Sequence, residues 1–86
     1  MKLPAYKSHK TVTAGKILAV SDAATDGSRV VVIEGEPGVN HSVVCPDKMF
    51  ARYVPKPGDW YVVYPPDGYA SFSPAAQFND GYTRVL

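Results

Sequence analysis

The side chains best suited to covalent or metal chemistry in this chain are few: one cysteine, Cys45, and two histidines, His9 and His41. His41 and Cys45 stand four residues apart, on one face if the segment is a regular strand. A thiolate beside an imidazole makes a nucleophile or half of a metal site. A structural zinc wants four such ligands, more than these residues supply. Glycine-rich phosphate loops, His-Glu metal motifs and acid pairs at a recognisable spacing are missing, since most of the acids sit among turn formers. Cys45 therefore reads as a buried side chain behaving as a small hydrophobe. The expectation is a protein that is not an enzyme, with no catalytic residue, no cofactor and no metal.

Aromatic and hydroxyl side chains are concentrated more suggestively, in Tyr6, Ser8, His9, Tyr69, Ser71, Ser73, Tyr82, Thr83 and Arg84. Aromatic faces stack on a nucleobase, while Arg84 and Lys10 would satisfy its phosphate. On that chemistry Tyr6, His9, Lys10, Tyr69 and Arg84 are the ligand-binding candidates. The same residue types also serve structure: tyrosines with wet hydroxyl tips roof small cores, and serines cap turns. Both readings stand at this level.

Charge narrows the partners. Nine basic and eight acidic side chains leave a net charge of +1, too little for the several phosphate contacts of a basic nucleic-acid groove. Nucleic acid and anionic membrane are not expected partners. The balance is uneven along the chain, because Lys2, Lys7, Lys10 and Lys16 all precede the first acid, Asp22. Residues 1–10 read as a polar, basic arm, either solvated or an anion-binding patch, to which His9 adds charge at low pH.

The elements that must position these groups are mostly strands. Residues 56–64 (KPGDWYVVY) place a Pro-Gly-Asp turn before an aromatic and β-branched run. Asp67 and Gly68 then reverse the chain into a second alternating run, residues 69–73, forming a hairpin. Trp60, Val62 and Tyr64 alternate with Tyr61 and Val63, so both faces of the first run are apolar and it belongs at the centre of a sheet. Ser73 as N-cap and Pro74 at the first helical position start a short helix over 75–78, with Gly81 as its stop. Residues 82–86 form an extended tail able to add an edge strand.

Earlier in the chain, residues 11–20 read as a bent strand whose apolar parity slips at Gly15, which predicts a bulge there. A turn-rich connection follows, and residues 29–33 (RVVVI) form a strand apolar enough for burial on both faces or at an oligomer contact. Residues 34–38 (EGEPG) break that strand, and residues 39–45 resume one. Residues 46–53 fit one or two helical turns with Met49, Phe50 and Tyr53 facing the core, ended by Val54, Pro55 and Pro57. The sum is a single mainly β domain over residues 1–86. Its architecture is a small curved antiparallel sheet or five-stranded barrel with one or two short helices. A chain of 86 residues buries only about 60% of its unfolded surface, so association with further copies would stabilise it.

Residues 6–10 (YKSHK) with Ala14, Lys16 and Ile17, together with residues 57–64 (PGDWYVVY), Gly68, Tyr69, residues 71–74 (SFSP), Phe78 and residues 81–83 (GYT), carry a resemblance. This pattern resembles a group of small uncharacterised accessory proteins of tailed bacteriophages and prophages. The matching blocks cover a little over half of the chain and leave out residues 18–50. The resemblance implies a phage-type protein made inside a bacterial cell, and it transfers no catalytic residue. No run approaches the ~18 apolar residues of a membrane span, and residues 1–4 are followed by polar ones rather than a signal-peptide core. The expected location is the cytoplasm of the infected bacterium, where a lone cysteine suits reducing conditions. Two roles follow as expectations. One is a binding module that sequesters a small anionic host ligand such as a signalling nucleotide, or blocks a host protein, in anti-defence or host takeover. The other is a small virion structural or assembly protein that closes its apolar strands against copies of itself as a homo-oligomer.

Overall fold

The structure, a computed structural model, describes residues 2–7 and 11–85. Seven strands form one antiparallel, open sheet: β1 (Ala5–Lys7), β2 (Thr11–Val20), β3 (Arg29–Glu34), β4 (Asn40–Cys45), β5 (Trp60–Tyr64), β6 (Tyr69–Ser73) and β7 (Thr83–Arg84). Among the described residues a single 3-10 turn, Asp47–Phe50, follows β4, and one helix, α1 (Ala75–Gly81), follows β6. The mainly β, curved-sheet expectation holds, but the sheet does not close into a five-stranded barrel. Two short strands at the chain ends add to it instead.

The long strand β2 organises the rest. Lys16 lies opposite Glu34 on one edge and Trp60 on the other, and Thr13 lies opposite both Ala5 and Val63. Strands β1 and β3 therefore share one edge of β2 end to end, while β5 takes the other, giving the path β4-β3-β2-β5-β6 with β1-β7 as a side branch. The amino-terminal segment is thus no wholly solvated arm: β1 pairs with β2 and β7, and Leu3 is buried in the core.

The two faces of the sheet carry two cores. Leu3, Ile17, Val31, Ile33, Cys45, Phe50 and Tyr61 form the first, roofed by the 3-10 turn. Val12, Ala14, Trp60, Val62 and Phe78 form the second, roofed by α1. Strand β5 supplies both, as its unbroken apolar run implied. Strand β2 does so too, with Val12 and Ala14 on the helix side and Ile17 on the other. The apparent slip at Gly15 is this change of core, and the bulge lies later, between Ile17 and Ala19. Gly15 is needed for a different reason: a Cβ there would clash with Ile33 Cγ2 and sit 2.8 Å from the Glu34 carbonyl oxygen.

Other local expectations shift for physical reasons. Only one face of β3 is buried, through Val31 and Ile33, and Val30 is 38% exposed. Residues 46–53 make only the 3-10 turn, with Phe50 inside and stacked 5.2 Å from Phe72. The β5–β6 hairpin joins Tyr64 to Tyr69 across four residues, with Gly68 at φ 75° and Asp67 on the ordinary negative side. Ser73 belongs to β6 and does not cap α1. The N-cap is Pro74, which has no side-chain donor or acceptor to offer, and Asp59 takes over the capping from a distance. Gly81 is the last helical residue, and the extended tail adds β7, as expected of an edge strand.

Candidate functional site

The turn before β5 builds the anchor of the site. Gly58, at φ 98°, adopts a backbone that side chains other than glycine avoid. Its amide donates to the Ile17 carbonyl at 2.9 Å, and the Ile17 amide donates to the Asp59 carbonyl at 2.8 Å, which stitches the turn to β2. Asp59 is 1% exposed. Its Oδ2 accepts from the Tyr53 hydroxyl and, at 3.0 Å, from the Lys56 amide; its Oδ1 accepts from the Ala75 amide at 3.0 Å and lies 3.9 Å from Lys56 Nζ. Burial alone would push this carboxyl up. The bonds from Tyr53, Lys56 and Ala75, with the Lys56 charge, more than offset it and hold the group below the usual carboxylate range. In turn, the bond to Asp59, with burial and the carboxylate charge behind it, raises the Tyr53 hydroxyl above its ordinary value.

One buried carboxylate thus fixes three things: the start of α1, the loop at Lys56 and the ring of Tyr53. Tyr53 forms a wall of a groove of about 570 Å³ lined also by Lys48, Met49, Ala51, Arg52 and the four consecutive β6 residues Tyr69, Ala70, Ser71 and Phe72. Lys48 and Arg52 bring two positive charges to it, and no acid lines it. Among the described residues neither cation forms an ion pair. The neighbouring acid Asp47 lines an adjoining hollow with Asp26, Ser28 and Lys48, which borders both. An arginine fork, an ammonium and phenol rings are groups of the kind that bind an anion and stack on a flat or extended partner.

The structure brings together only part of the set expected from sequence. Tyr69 is 66% exposed, lies 6.1 Å from Tyr64 and lines the groove. Tyr6 and Arg84 are cross-strand partners on β1 and β7, away from the groove lining. Tyr6 is built into the second core, edge-on to Trp60 at 5.2 Å and to Phe78 at 5.0 Å, so its ring roofs a cluster rather than presenting a face. Burial raises its hydroxyl, and the Arg84 charge only partly counters this. Tyr82 stacks on Phe78 at 4.7 Å and takes the same structural part. His9 and Lys10 lie outside the described residues.

His41 and Cys45 share the core-facing side of β4, opposite Ile33 and Arg29. Four residues of strand separate their backbones by about 13 Å, beyond any shared bond. Cys45 is buried, and burial pushes its thiol up. Among the described residues no group of three or more His, Cys, Asp or Glu side chains is placed to hold a metal ion, and no helix is long and apolar enough to cross a membrane.

Lys48, Arg52 and Tyr53 are the site residues that sequence reasoning missed. Their signal was present: Lys48 and Arg52 are four apart on a segment read as helical with Met49, Phe50 and Tyr53 inward, which leaves the two cations together on the outer side. Comparison with protein-family models, with curated proteins and with solved structures finds no match for this chain.

Proposed function

We propose that this protein is a non-enzymatic, phage-type binding module that acts inside the infected bacterium by holding an anionic host partner in the groove between residues 48–53 and β6. The observation that carries this reading is the pairing of two cations that form no ion pair among the described residues, Lys48 and Arg52, with the tyrosines Tyr53 and Tyr69 around one concavity. Occupying that partner would withdraw it from host use, which is the logic of anti-defence or host takeover. The Asp59 network supports it by holding one wall of the groove in place before the partner arrives, so less order is lost on binding. Amide chemical-shift mapping tests the reading with inorganic pyrophosphate, cyclic and linear nucleotides, and polyglutamate as probes. At least one is expected to move the groove amides, with salt weakening the effect. Silence from the whole panel, or equal shifts in the Lys48→Glu/Arg52→Glu double variant, defeats it.

A second reading, a small virion or assembly component, is favoured by a different face. Val30 and Val44 lie opposite each other on β3 and β4 and are 38% and 69% exposed. Strand β4 carries no aspartate, glutamate, lysine or arginine, the side chains that usually guard a free sheet edge. Self-association seen by sedimentation and abolished by Val44→Lys, with many copies per particle by mass spectrometry, would favour this role. A monomer absent from particles would remove it.

A further inference from the structure

Four consecutive residues of one strand line the groove, Tyr69 through Phe72. Side chains along a strand point alternately to opposite faces. Here Ala70 and Phe72 pack on the first core, while Tyr69 lies against Tyr64 on the other side. Neighbours of opposite orientation that line one concavity share a backbone that borders it, and β6 has one edge outside its pairing with β5. That edge is free: β6 pairs with β5, and among the described residues no strand pairs with its outer side. None of the usual protections is present, since β6 reads Tyr, Ala, Ser, Phe, Ser, without a charge or a proline.

We infer that the occupant of this groove is an extended acidic segment of a protein, which adds to the outer edge of β6 as a further strand with its carboxylates facing Lys48 and Arg52. This rests on reading the groove as the binding site. Five residues of β6 offer an edge of about 17 Å, matched to a peptide rather than to a phosphate. A small anion would meet the two cations and leave the row of backbone donors and acceptors to water. A strand uses both: its main chain pairs with β6, and alternate side chains meet the opposite wall. An alternating acidic and apolar sequence turns all of its carboxylates to that wall, where Lys48 and Arg52 stand, and its apolar side chains to the opposite face. Charge complementarity selects an acidic partner over a basic one: Lys48 and Arg52 line the groove without an acid, although Lys48 also borders the hollow that holds Asp26 and Asp47.

The test uses the full chain, isotopically labelled, with a capped heptapeptide of alternating glutamate and valine. Two controls carry N-methyl groups on alternate amides, one set on each edge of the peptide, and a third replaces glutamate with lysine. The acidic peptide is expected to move the amides of residues 69–72. One N-methylated form should lose binding and the other keep it, because only one edge of the added strand pairs with β6. The lysine peptide should not bind. The exposed pair Lys48→Glu/Arg52→Glu should weaken binding about tenfold or more, with an unchanged spectrum elsewhere as the check on folding. Equal binding by both N-methylated forms, or shifts confined to the β4 edge, overturns strand addition. Pyrophosphate moving the groove amides when the peptide does not would overturn this inference and leave the binding site standing. If neither the peptide nor any of the pyrophosphate, nucleotide and polyglutamate probes moves them, both fall.

Discussion

Replacing Asp59 with alanine removes the one buried carboxylate among the described residues and, with it, the acceptors of the Tyr53 hydroxyl and of the Lys56 and Ala75 amides. The Ala75 bond is the cap of α1, since Pro74 supplies none, and a lost cap costs about 1 kcal/mol. Stripping the other donors of a charged acceptor brings the total to about 3 kcal/mol. A chain of 86 residues has a folding stability of about 9 kcal/mol at a typical ~0.1 kcal/mol per residue. The substitution therefore removes about a third of it. At ~4–8 °C per kcal/mol for a domain of this size, Tm should fall by about 12–24 °C. Urea titration followed by far-ultraviolet dichroism gives the free-energy change directly, with Asp59→Asn retaining part of the stability through its remaining carbonyl acceptor. Acid provides a second readout. The folded-state pKa of Asp59 lies below the ordinary value of 3.8, so its contribution is fully present above that value and is lost as pH falls through the folded pKa. The wild type should therefore lose stability below about pH 4, and Asp59→Asn should lose less over that window. Ser28 also holds exposed Asp26 down, but that group is common to both proteins and cancels in the comparison. A loss under 1 kcal/mol in Asp59→Ala, or identical acid profiles for wild type and Asp59→Asn, would refute the network as the anchor of the groove.

Other perturbations separate the two cores and the thiol. Gly15→Ala forces a methyl against Ile33 and the Glu34 carbonyl and should cost about 1–3 kcal/mol by overpacking, read as a lower urea midpoint with an unchanged slope. Phe78→Ala empties the centre of the second core, where Phe78 stacks on both Trp60 and Tyr82. It should cost about 3–5 kcal/mol, with loss of near-ultraviolet dichroism from Trp60; retention of that signal would contradict the stacking. Native Cys45 should resist a thiol reagent and react at the rate of global unfolding, because the group is buried and its thiolate disfavoured. Prompt labelling in native buffer would contradict its burial.

Sequence pattern was a good guide wherever a residue's surroundings lie close along the chain. The run from Trp60 to Tyr64 announced a strand with two apolar faces, and both faces meet cores. The carboxyl-terminal hairpin and the edge strand after α1 were equally visible. The errors share one cause. Val12, Ala14 and Ile17 looked like a slipped alternation because pattern reading assumes one buried face, whereas β2 turns Val12 and Ala14 to one core and Ile17 to the other. Ser73 looked like a cap because capping rules count neighbours, and they cannot see a carboxylate sixteen residues away accepting from the Ala75 amide. Residues 46–53 do make one helical turn, of 3-10 geometry, with Phe50 inside and Met49 packed on the first core, and only Tyr53 departs from the expectation. Tyr53 instead reaches Asp59, beyond the single 3-10 turn.

The same distinction governs the site. Aromatic and hydroxyl enrichment picked out Tyr69, which lines the groove, but it also picked out Tyr6 and Tyr82, whose rings are consumed by contacts with Trp60 and Phe78. Composition counts rings, and only packing decides which of them keeps a free face. The groove itself is a product of distance in sequence: its walls come from residues 48–53 and 69–72, joined through the first core by the stacking of Phe50 on Phe72. Neither wall is distinctive alone. Two lysine or arginine side chains on a short turn are commonplace, and so is an uncharged edge strand. Their meaning comes from being set side by side with no acid between them, because the cations then favour the charge of a partner whose backbone the edge can hold. For that reason the cations and the edge must fail separately: charge reversal at Lys48 and Arg52 should weaken an acidic strand while leaving its geometry intact, and blocking its amides should abolish the geometry while leaving its charge.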